Sequence, residues 1–152
     1  MNYEIVTLEE KIIAGLTART GNSDPNCPAI IGGLWQKFME ENIVSNIKKI
    51  SSPYTIGLYS DYDSQTYDVT VGMTISLDGT SDAKTAGLSV KTIPAGKYAK
   101  FAINGNVVTA VQDAWNKIWQ MPLERSYTAD FEEYLNHKED NTADINIYVA
   151  LK

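Results

Sequence analysis

The sequence of 152 residues contains little of what disulfide or metal chemistry requires. Its one cysteine, Cys27, cannot form an internal disulfide, which favours a reducing compartment such as the cytoplasm. Its one histidine, His137, lies in a polar stretch, and a metal site needs more His or Cys ligands than this. The sequence also lacks a glycine-rich phosphate loop. We therefore expect no metal and no cofactor.

Positive charge and long apolar runs are also scarce. Lys and Arg number 13 against 19 Asp and Glu, which gives a net charge of −6. A protein that binds nucleic acid needs cations to displace counterions from phosphates, and an acidic surface does not dock on an anionic membrane. No stretch approaches the roughly 20 apolar residues of a membrane span, and no signal peptide is visible. We expect neither a nucleic-acid nor a membrane partner, and a cytoplasmic location.

Apolar and aromatic residues are plentiful. The apolar fraction of 43% is enough to bury a core, and the length fits a single domain over residues 1–152. The aromatic residues are nine Tyr, three Trp and three Phe. That is more tyrosine than a minimal core needs, and a tyrosine-rich cavity is one use for the excess.

Two stretches, about 1–77 and 88–152, show the same order of predicted elements: strand, helix, strand, strand. Helices are predicted after Pro28 and over about 107–121, because apolar residues recur there at helical spacing. Extended segments are predicted at 2–18, 54–60, 67–77, 88–93, 97–103, 127–136 and 145–151, with a polar linker over 78–87 and a turn at 104–106.

The two halves can be aligned residue by residue. Trp35 then matches Trp115, and Tyr59 matches Glu132. Internal repetition of this kind indicates a duplicated unit, although chance similarity of amphipathic patterns is the alternative. The predicted fold class is α+β: a duplicated β-α-β-β unit with two helices packed on antiparallel sheets. If each helix covers one face of its half-sheet, the uncovered faces meet around a central groove, and such grooves are common ligand sites.

Three segments resemble one known family. Residues 92–101, Thr-Ile-Pro-Ala-Gly-Lys-Tyr-Ala-Lys-Phe, resemble the IPAGxYAxF segment of GyrI-like small-molecule-binding domains, the effector-binding domains of AraC-type and MerR-type multidrug regulators. Residues 114–119 resemble the aWxxiw segment that follows. Arg125 with residues 131–134 resembles the R…FExY segment. The resemblance covers nearly the whole chain and is strongest over 90–134.

The resemblance implies a duplicated βαββ fold around a cleft. It also implies a buried glutamate at the bottom of an aromatic pocket, which helps to bind lipophilic cations; by motif match this is Glu132. Some stand-alone members hydrolyse reactive electrophiles with this carboxylate and pocket aromatics. Because this sequence starts with the first strand and not with a DNA-binding domain, we expect a stand-alone member. Its first half, with the loop over 20–28, is less typical of the family.

Glu132 is the first candidate site residue. A carboxylate among aromatic side chains is poorly solvated, so its pKa is expected to rise, and a cationic ligand would restore the charged form. The alternative is an exposed glutamate in an acidic stretch beside Glu133.

Four aromatic residues are candidate companions of this glutamate. Strand alternation places Tyr148 on the face away from the helix, which is the expected groove side. The repeat places Tyr59 opposite the same groove. Tyr98 is expected to point away from a core formed by its strand neighbours, and Trp119 to cap the groove. A core or surface role is the alternative for each.

Two functions use the same residues. The first is binding of a lipophilic, cationic or aromatic small molecule for sequestration or sensing. The second is a hydrolase in which Glu132, oriented by Tyr148, acts as general acid or base on an electrophile. A third hypothesis, an adaptor that acts through protein contacts, predicts no deep cavity. The expected partner is a small molecule, with a homodimer or a separate regulator protein left open.

Overall fold

The computed structural model describes residues 1–152 as eight strands and three helices. The strands are β1 Glu4–Leu8, β2 Lys11–Thr20, β3 Ile50–Ser60, β4 Tyr67–Ile75, β5 Ser89–Ile93, β6 Gly96–Asn106, β7 Arg125–Leu135 and β8 Thr142–Leu151. The helices are α1 Cys27–Glu40, α2 Thr80–Thr85 and α3 Thr109–Ile118, and short 3-10 turns lie at Ile43–Asn46 and Leu77–Gly79. No helix is both long enough and apolar enough to cross a membrane.

All eight strands form one antiparallel sheet in the order β1-β6-β8-β7-β3-β4-β2-β5. Exchanging the two halves, so that β1 takes the place of β5, β2 of β6, β3 of β7 and β4 of β8, reproduces the same order read from the other edge. The sheet therefore has a pseudo-twofold axis between its central strands, β3 and β7. The duplicated unit predicted from the sequence is confirmed, and each half lends its first strand to the edge of the other half.

Both long helices lie on the same face of this curled sheet. Beneath α3, Trp115 and Ile118 pack against Ile145, Ile147 and Val149 of β8. Beneath α1, Phe38 packs among the inward side chains of β4. Of the apolar stripes predicted from the sequence, α3 buries Ala114, Trp115 and Ile118, whereas α1 buries only Phe38 and leaves Met39 exposed.

The opposite face of the sheet carries its own core. Leu58, Phe131, Tyr98 and Tyr148 are all buried there, and Val6 and Leu8 of the edge strand β1 pack against them. Because the sheet curls, this face closes on itself and is filled without a helix. This filled face is the one on which the groove was expected, so the expected side of the groove was wrong.

Three predicted elements differ from the structure. Residues 78–87 are not a linker, because the short helix α2 buries Ala83 against the α1 side of the core. The predicted turn at 104–106 is the end of β6, where Asn104 to Asn106 pair with β8. The first extended segment is two strands, since the chain leaves β1 after Leu8 and enters β2 at Lys11. A six-residue helix with one apolar residue and a strand end rich in Asn and Gly give no periodic signal.

Pro53 explains a shift of register in β3. Pairing of β3 with β4 shifts between Ile50 and Thr55, and Pro53 lies between these two residues. Proline has no N–H to donate to the ladder, so the strand continues with altered register at this point.

Two glycines let β2 and β4 approach closely. Gly15 and Gly72 are paired across these strands. A Cβ on Gly15 would lie 2.0 Å from the carbonyl oxygen of Val71, and one on Gly72 would lie 2.2 Å from that of Ala14. Both neighbours are backbone atoms, which cannot move aside as a flexible side chain could.

Gly72→Ala is expected to lower the free energy of unfolding by about 3 kcal/mol, because the new methyl group overlaps the facing backbone. Gly33→Ala is the control, since Gly33 is an exposed residue of α1 with no heavy atom near the added Cβ. That control should gain about 0.5–1 kcal/mol from helix propensity. Urea denaturation measures both, and an unchanged midpoint for Gly72→Ala would contradict the close approach.

Candidate functional site

A large cavity opens on the helix-bearing face, between α1 and α3, with a volume of about 1190 Å³. The two helices form its walls, and the central strands β3 and β7 form its floor. Residues from these elements that line it include Ile31, Trp35 and Met39 of α1, Val111 and Trp115 of α3, and Tyr59, Glu132 and Tyr134 of the floor. The cavity is large enough for a drug-sized organic molecule.

Glu132 lies at the floor of this cavity and is 1% exposed. Its carboxylate accepts three hydrogen bonds. Tyr59 Oη donates to Oε2 at 2.9 Å, Trp115 Nε1 donates to Oε2 at 2.7 Å, and Tyr134 Oη donates to Oε1 at 2.7 Å. Three elements therefore converge on one side chain: β3, α3 and β7 itself.

None of the donors to Glu132 carries a charge, and no Lys or Arg forms an ion pair with it. Burial raises the pKa of the Glu132 carboxyl above its ordinary value of 4.5, and the three hydrogen bonds oppose this rise by stabilising the charged form. Burial and the neighbouring carboxylate raise the pKa of Tyr59 and Tyr134 well above the usual 10, so both phenols stay protonated and remain donors.

The cavity wall is rich in aromatic rings. All three Trp and five of the nine Tyr line it: Trp35, Trp115, Trp119, Tyr59, Tyr62, Tyr67, Tyr127 and Tyr134. Several of these rings hold each other edge to face, as do Trp35 and Tyr134 with centroids 4.8 Å apart and Tyr59 and Trp115 at 5.8 Å. Such contacts fix the rings in place and leave ring faces for a ligand.

Gly57 makes room for the carboxylate. It pairs with Glu132 across β3 and β7, and a Cβ at this position would lie 3.0 Å from Glu132 Oε1 and 3.3 Å from the ring of Trp35. Any side chain at position 57 would collide with the carboxylate, so glycine at this position is part of what forms the site.

A second buried carboxylate, Asp130, lies two residues away on the same face of β7. It is fully buried and accepts from Arg125 Nη2 at 2.7 Å, from Tyr62 Oη at 2.5 Å and from the backbone N–H of Ala150 at 2.9 Å. The last of these bonds gives the backbone N–H of Ala150 in β8 a partner at the place where the pairing of β8 with β7 shifts register, between Arg125 and Asp130. Unlike Glu132, this carboxylate has a cation beside it.

Three of the five predicted site residues line the cavity: Glu132, Tyr59 and Trp119. Tyr59, placed by the repeat, donates directly to Glu132. Trp119 is 47% exposed at the C-terminal end of α3, with its ring centroid 6.2 Å from that of Trp115. Their role toward a ligand stays a prediction.

Tyr148 and Tyr98 do not line the cavity, which corrects their predicted placement. Tyr148 does point away from α3, as alternation predicted, but it stacks on Phe131 at 4.5 Å in the core of the opposite face. Tyr98 lies in the same core and donates to the carbonyl oxygen of Pro94 at 2.6 Å. Burial raises the pKa of each phenol to about 12. The groove lies on the helix side because the helices leave the centre of the sheet uncovered.

Sequence reasoning missed several lining residues. Tyr134 follows Glu132 by two positions and so shares its strand face, a signal that was present. Tyr62 and Tyr127 reach the cavity from loop and bulge positions that no periodicity marks. Cys27 also lines the cavity and is buried, with Sγ 3.7 Å from Tyr67 Oη. No three His, Cys, Asp or Glu side chains are grouped in a way that could hold a metal ion.

Residues 4–151 match the sequence profile of a family described as Cass2, integron-associated effector binding protein. The integron cassette protein VCH_CASS2 from the mobile metagenome of Vibrio cholerae is 30% identical, with a TM-score of 0.67. The alignment covers 97% of this chain and 95% of that one.

Two further solved structures share the fold at lower identity. SAV2435 bound to tetraphenylphosphonium superposes with a TM-score of 0.81 at 19% identity, covering 100% of this chain and 94% of that one. The EcmrR C-terminal domain superposes with a TM-score of 0.55 at 16% identity, covering 100% of both chains. No curated protein sequence matches the chain.

Glu132→Gln is expected to raise the free energy of unfolding at neutral pH by roughly 1 kcal/mol, because it removes a buried charge that has no cation beside it. The amide oxygen can still accept from Trp115 and Tyr59, and the hydroxyl of Tyr134 can rotate to accept from the amide NH₂.

The sign of the pH dependence follows from the raised pKa. In wild type, the stability contributed by protonated Glu132 is fully present below the unfolded value near 4.5 and is lost as pH rises through the higher folded value. The advantage of Glu132→Gln should therefore shrink as pH falls toward 4.5. Thermal unfolding of both proteins across pH measures this, and an advantage that grows on acidification would contradict the raised pKa.

Proposed function

Because this chain belongs to the family of integron-associated effector binding proteins, we propose that its cavity binds a lipophilic organic cation and that Glu132 supplies the counter-charge. Glu132 carries the proposal, since its carboxylate is 1% exposed, lies on the cavity floor and has only neutral hydrogen-bond donors around it. The buried carboxylate already has its hydrogen bonds, and the one interaction it lacks is with a positive charge, which a cationic ligand would provide.

A cation in this cavity would gain two kinds of interaction that a neutral molecule would not. At 4 Å from the carboxylate, the Coulomb attraction is about 4 kcal/mol at an effective dielectric constant of 20. Each aromatic face in contact with the cation adds about 0.5–2 kcal/mol. Tyr59 and Trp115 flank the carboxylate directly, and Trp119 lies one ring farther out. The lipophilic part of the ligand would pack on these rings.

Two further observations support a cationic ligand. SAV2435, which shares the fold, was solved bound to tetraphenylphosphonium, a lipophilic cation. The net charge of −6 also favours cations over anions near the protein surface. We infer that the chain sequesters such a compound or senses it, with a second copy or a separate regulator protein as the partner in sensing.

Hydrolysis of an electrophile is the second candidate function. The raised pKa of Glu132 brings it nearer to the range of a general base, and two phenols lie within hydrogen-bond distance. The orienting phenol would be Tyr59 or Tyr134 and not Tyr148, which lies on the opposite face of the sheet.

Tetraphenylphosphonium is expected to bind wild type at neutral pH, and Glu132→Gln should weaken this binding at least thirtyfold, because the counter-charge is removed while the cavity shape is kept. Isothermal titration calorimetry measures both. Glu133→Gln is the matched control, since this neighbour removes the same formal charge but points to the other face of β7, near Asn146. Equal binding by wild type and Glu132→Gln would overturn the role of Glu132.

The hydrolase is tested with a panel of small epoxides and activated esters. If the chain is an enzyme, wild type should turn over at least one of them, and Glu132→Gln should lose at least 99% of that rate while Glu133→Gln keeps it. Product formation is followed by chromatography at equal protein concentrations. Absence of turnover across the panel, with tetraphenylphosphonium binding intact, would eliminate this second function for those substrates.

A further inference from the structure

Arg125 is a cation in the cavity that the proposed function leaves unused. It lines the cavity, and its side chain is 12% exposed. Of its five N–H donors, only one on Nη2 makes a hydrogen bond within the protein, to Asp130 at 2.7 Å. Its Nε is buried without a hydrogen-bond partner, and Nη1 forms no hydrogen bond while remaining accessible.

Asp130 does not use the remaining donors of this guanidinium. Its Oδ2 already accepts from Tyr62 as well as from Arg125, and its Oδ1 accepts from the backbone of Ala150. A guanidinium that served only to neutralise a carboxylate would be expected to bind it through two parallel N–H···O hydrogen bonds. Here Asp130 offsets the charge of Arg125 but leaves donors of the fork free at the cavity.

One indole ring, that of Trp115, lies between Arg125 and Glu132. The guanidinium carbon lies 5.9 Å from the centre of the Trp115 ring and 4.4 Å from that of Tyr127. The same Trp115 donates its Nε1 proton to Glu132. The cavity therefore presents an anion and a cation to its contents, with one tryptophan in contact with both.

We propose that Arg125 forms an acceptor subsite, which binds a carboxylate or carbonyl oxygen of a ligand whose cationic group lies at Glu132. The preferred ligand class is then a rigid aromatic cation that carries an oxygen acceptor about one ring away from its positive charge. This inference rests on the proposed function for the cationic end and adds a second, separate recognition element.

The neutrality of the Arg125–Asp130 pair explains how the subsite could act beside a bound cation. The Arg125–Asp130 pair carries no net charge, so it does not repel a simple cation bound at Glu132. A ligand oxygen at Arg125 would gain a charge-assisted hydrogen bond, which is stronger than one between neutral groups. The pair would thus select among cations without preventing any of them from binding.

The test compares tetraphenylphosphonium with its 3-carboxyphenyl and 4-carboxyphenyl triphenyl analogues by calorimetry. The protein variant is Arg125→Met/Asp130→Asn, which removes the pair without leaving a buried charge. The Asn oxygen can still accept from the backbone N–H of Ala150, and its NH₂ can donate to the hydroxyl of Tyr62, which can rotate to accept. For at least one isomer, we expect the affinity relative to tetraphenylphosphonium to be at least tenfold higher in wild type than in the double variant. Tetraphenylphosphonium itself should bind both proteins within threefold.

Unchanged relative affinities, within twofold for both isomers, would overturn the subsite. If the double variant does not fold, Arg125→Lys replaces it: this variant keeps the charge beside Asp130 but lacks the second prong, and at least a fivefold loss of the carboxylate preference is expected. Loss of the subsite alone leaves the binding of tetraphenylphosphonium and its dependence on Glu132 intact. Failure of the proposed function would instead abolish that dependence, so the two failures are distinguishable.

Discussion

The burial of the Glu132 carboxylate is the constraint around which the site is organised. A carboxylate shut off from water is stable only if hydrogen bonds or an opposite charge replace its hydration. Here two phenols and an indole provide the hydrogen bonds, and nothing in the chain provides the charge. The site therefore holds a negative charge in an aromatic, poorly solvated place, where an arriving cation has the largest effect.

The duplicated architecture explains how this constraint is met. The pseudo-twofold axis between β3 and β7 places the equivalent positions Tyr59 and Glu132 diagonally across the two strands on one face of the sheet, where Tyr59 donates to Glu132. The two halves have diverged at this position into a donor and an acceptor. Gly57, which pairs with Glu132, leaves the space that the carboxylate occupies. The asymmetry between the halves thus produces the charged centre of a nearly symmetric sheet.

The two buried carboxylates of β7 differ in whether a cation lies beside them. Asp130 has Arg125 as a permanent partner and closes a break in the ladder between β7 and β8, which is a structural role. Glu132 has no such partner. Trp115 contacts both Glu132 and Arg125, so the cavity has a negative group and a positive group on either side of one indole ring.

The sequence by itself determined the α+β class, the repeat and the two long helices, because these follow from local periodicity and internal alignment. A motif and the repeat also predicted that Glu132 and Tyr59 face the same groove, and both line the cavity. The sequence also determined that Tyr148 points away from α3. Only the tertiary structure decided which face of the sheet holds the cavity, and with it whether Tyr148, Tyr98 and Arg125 line it. The physical reason is that the curl of an eight-stranded sheet and the placement of two helices on it are set by contacts between residues far apart in the chain, whereas alternation along a strand fixes only which side chains share a face.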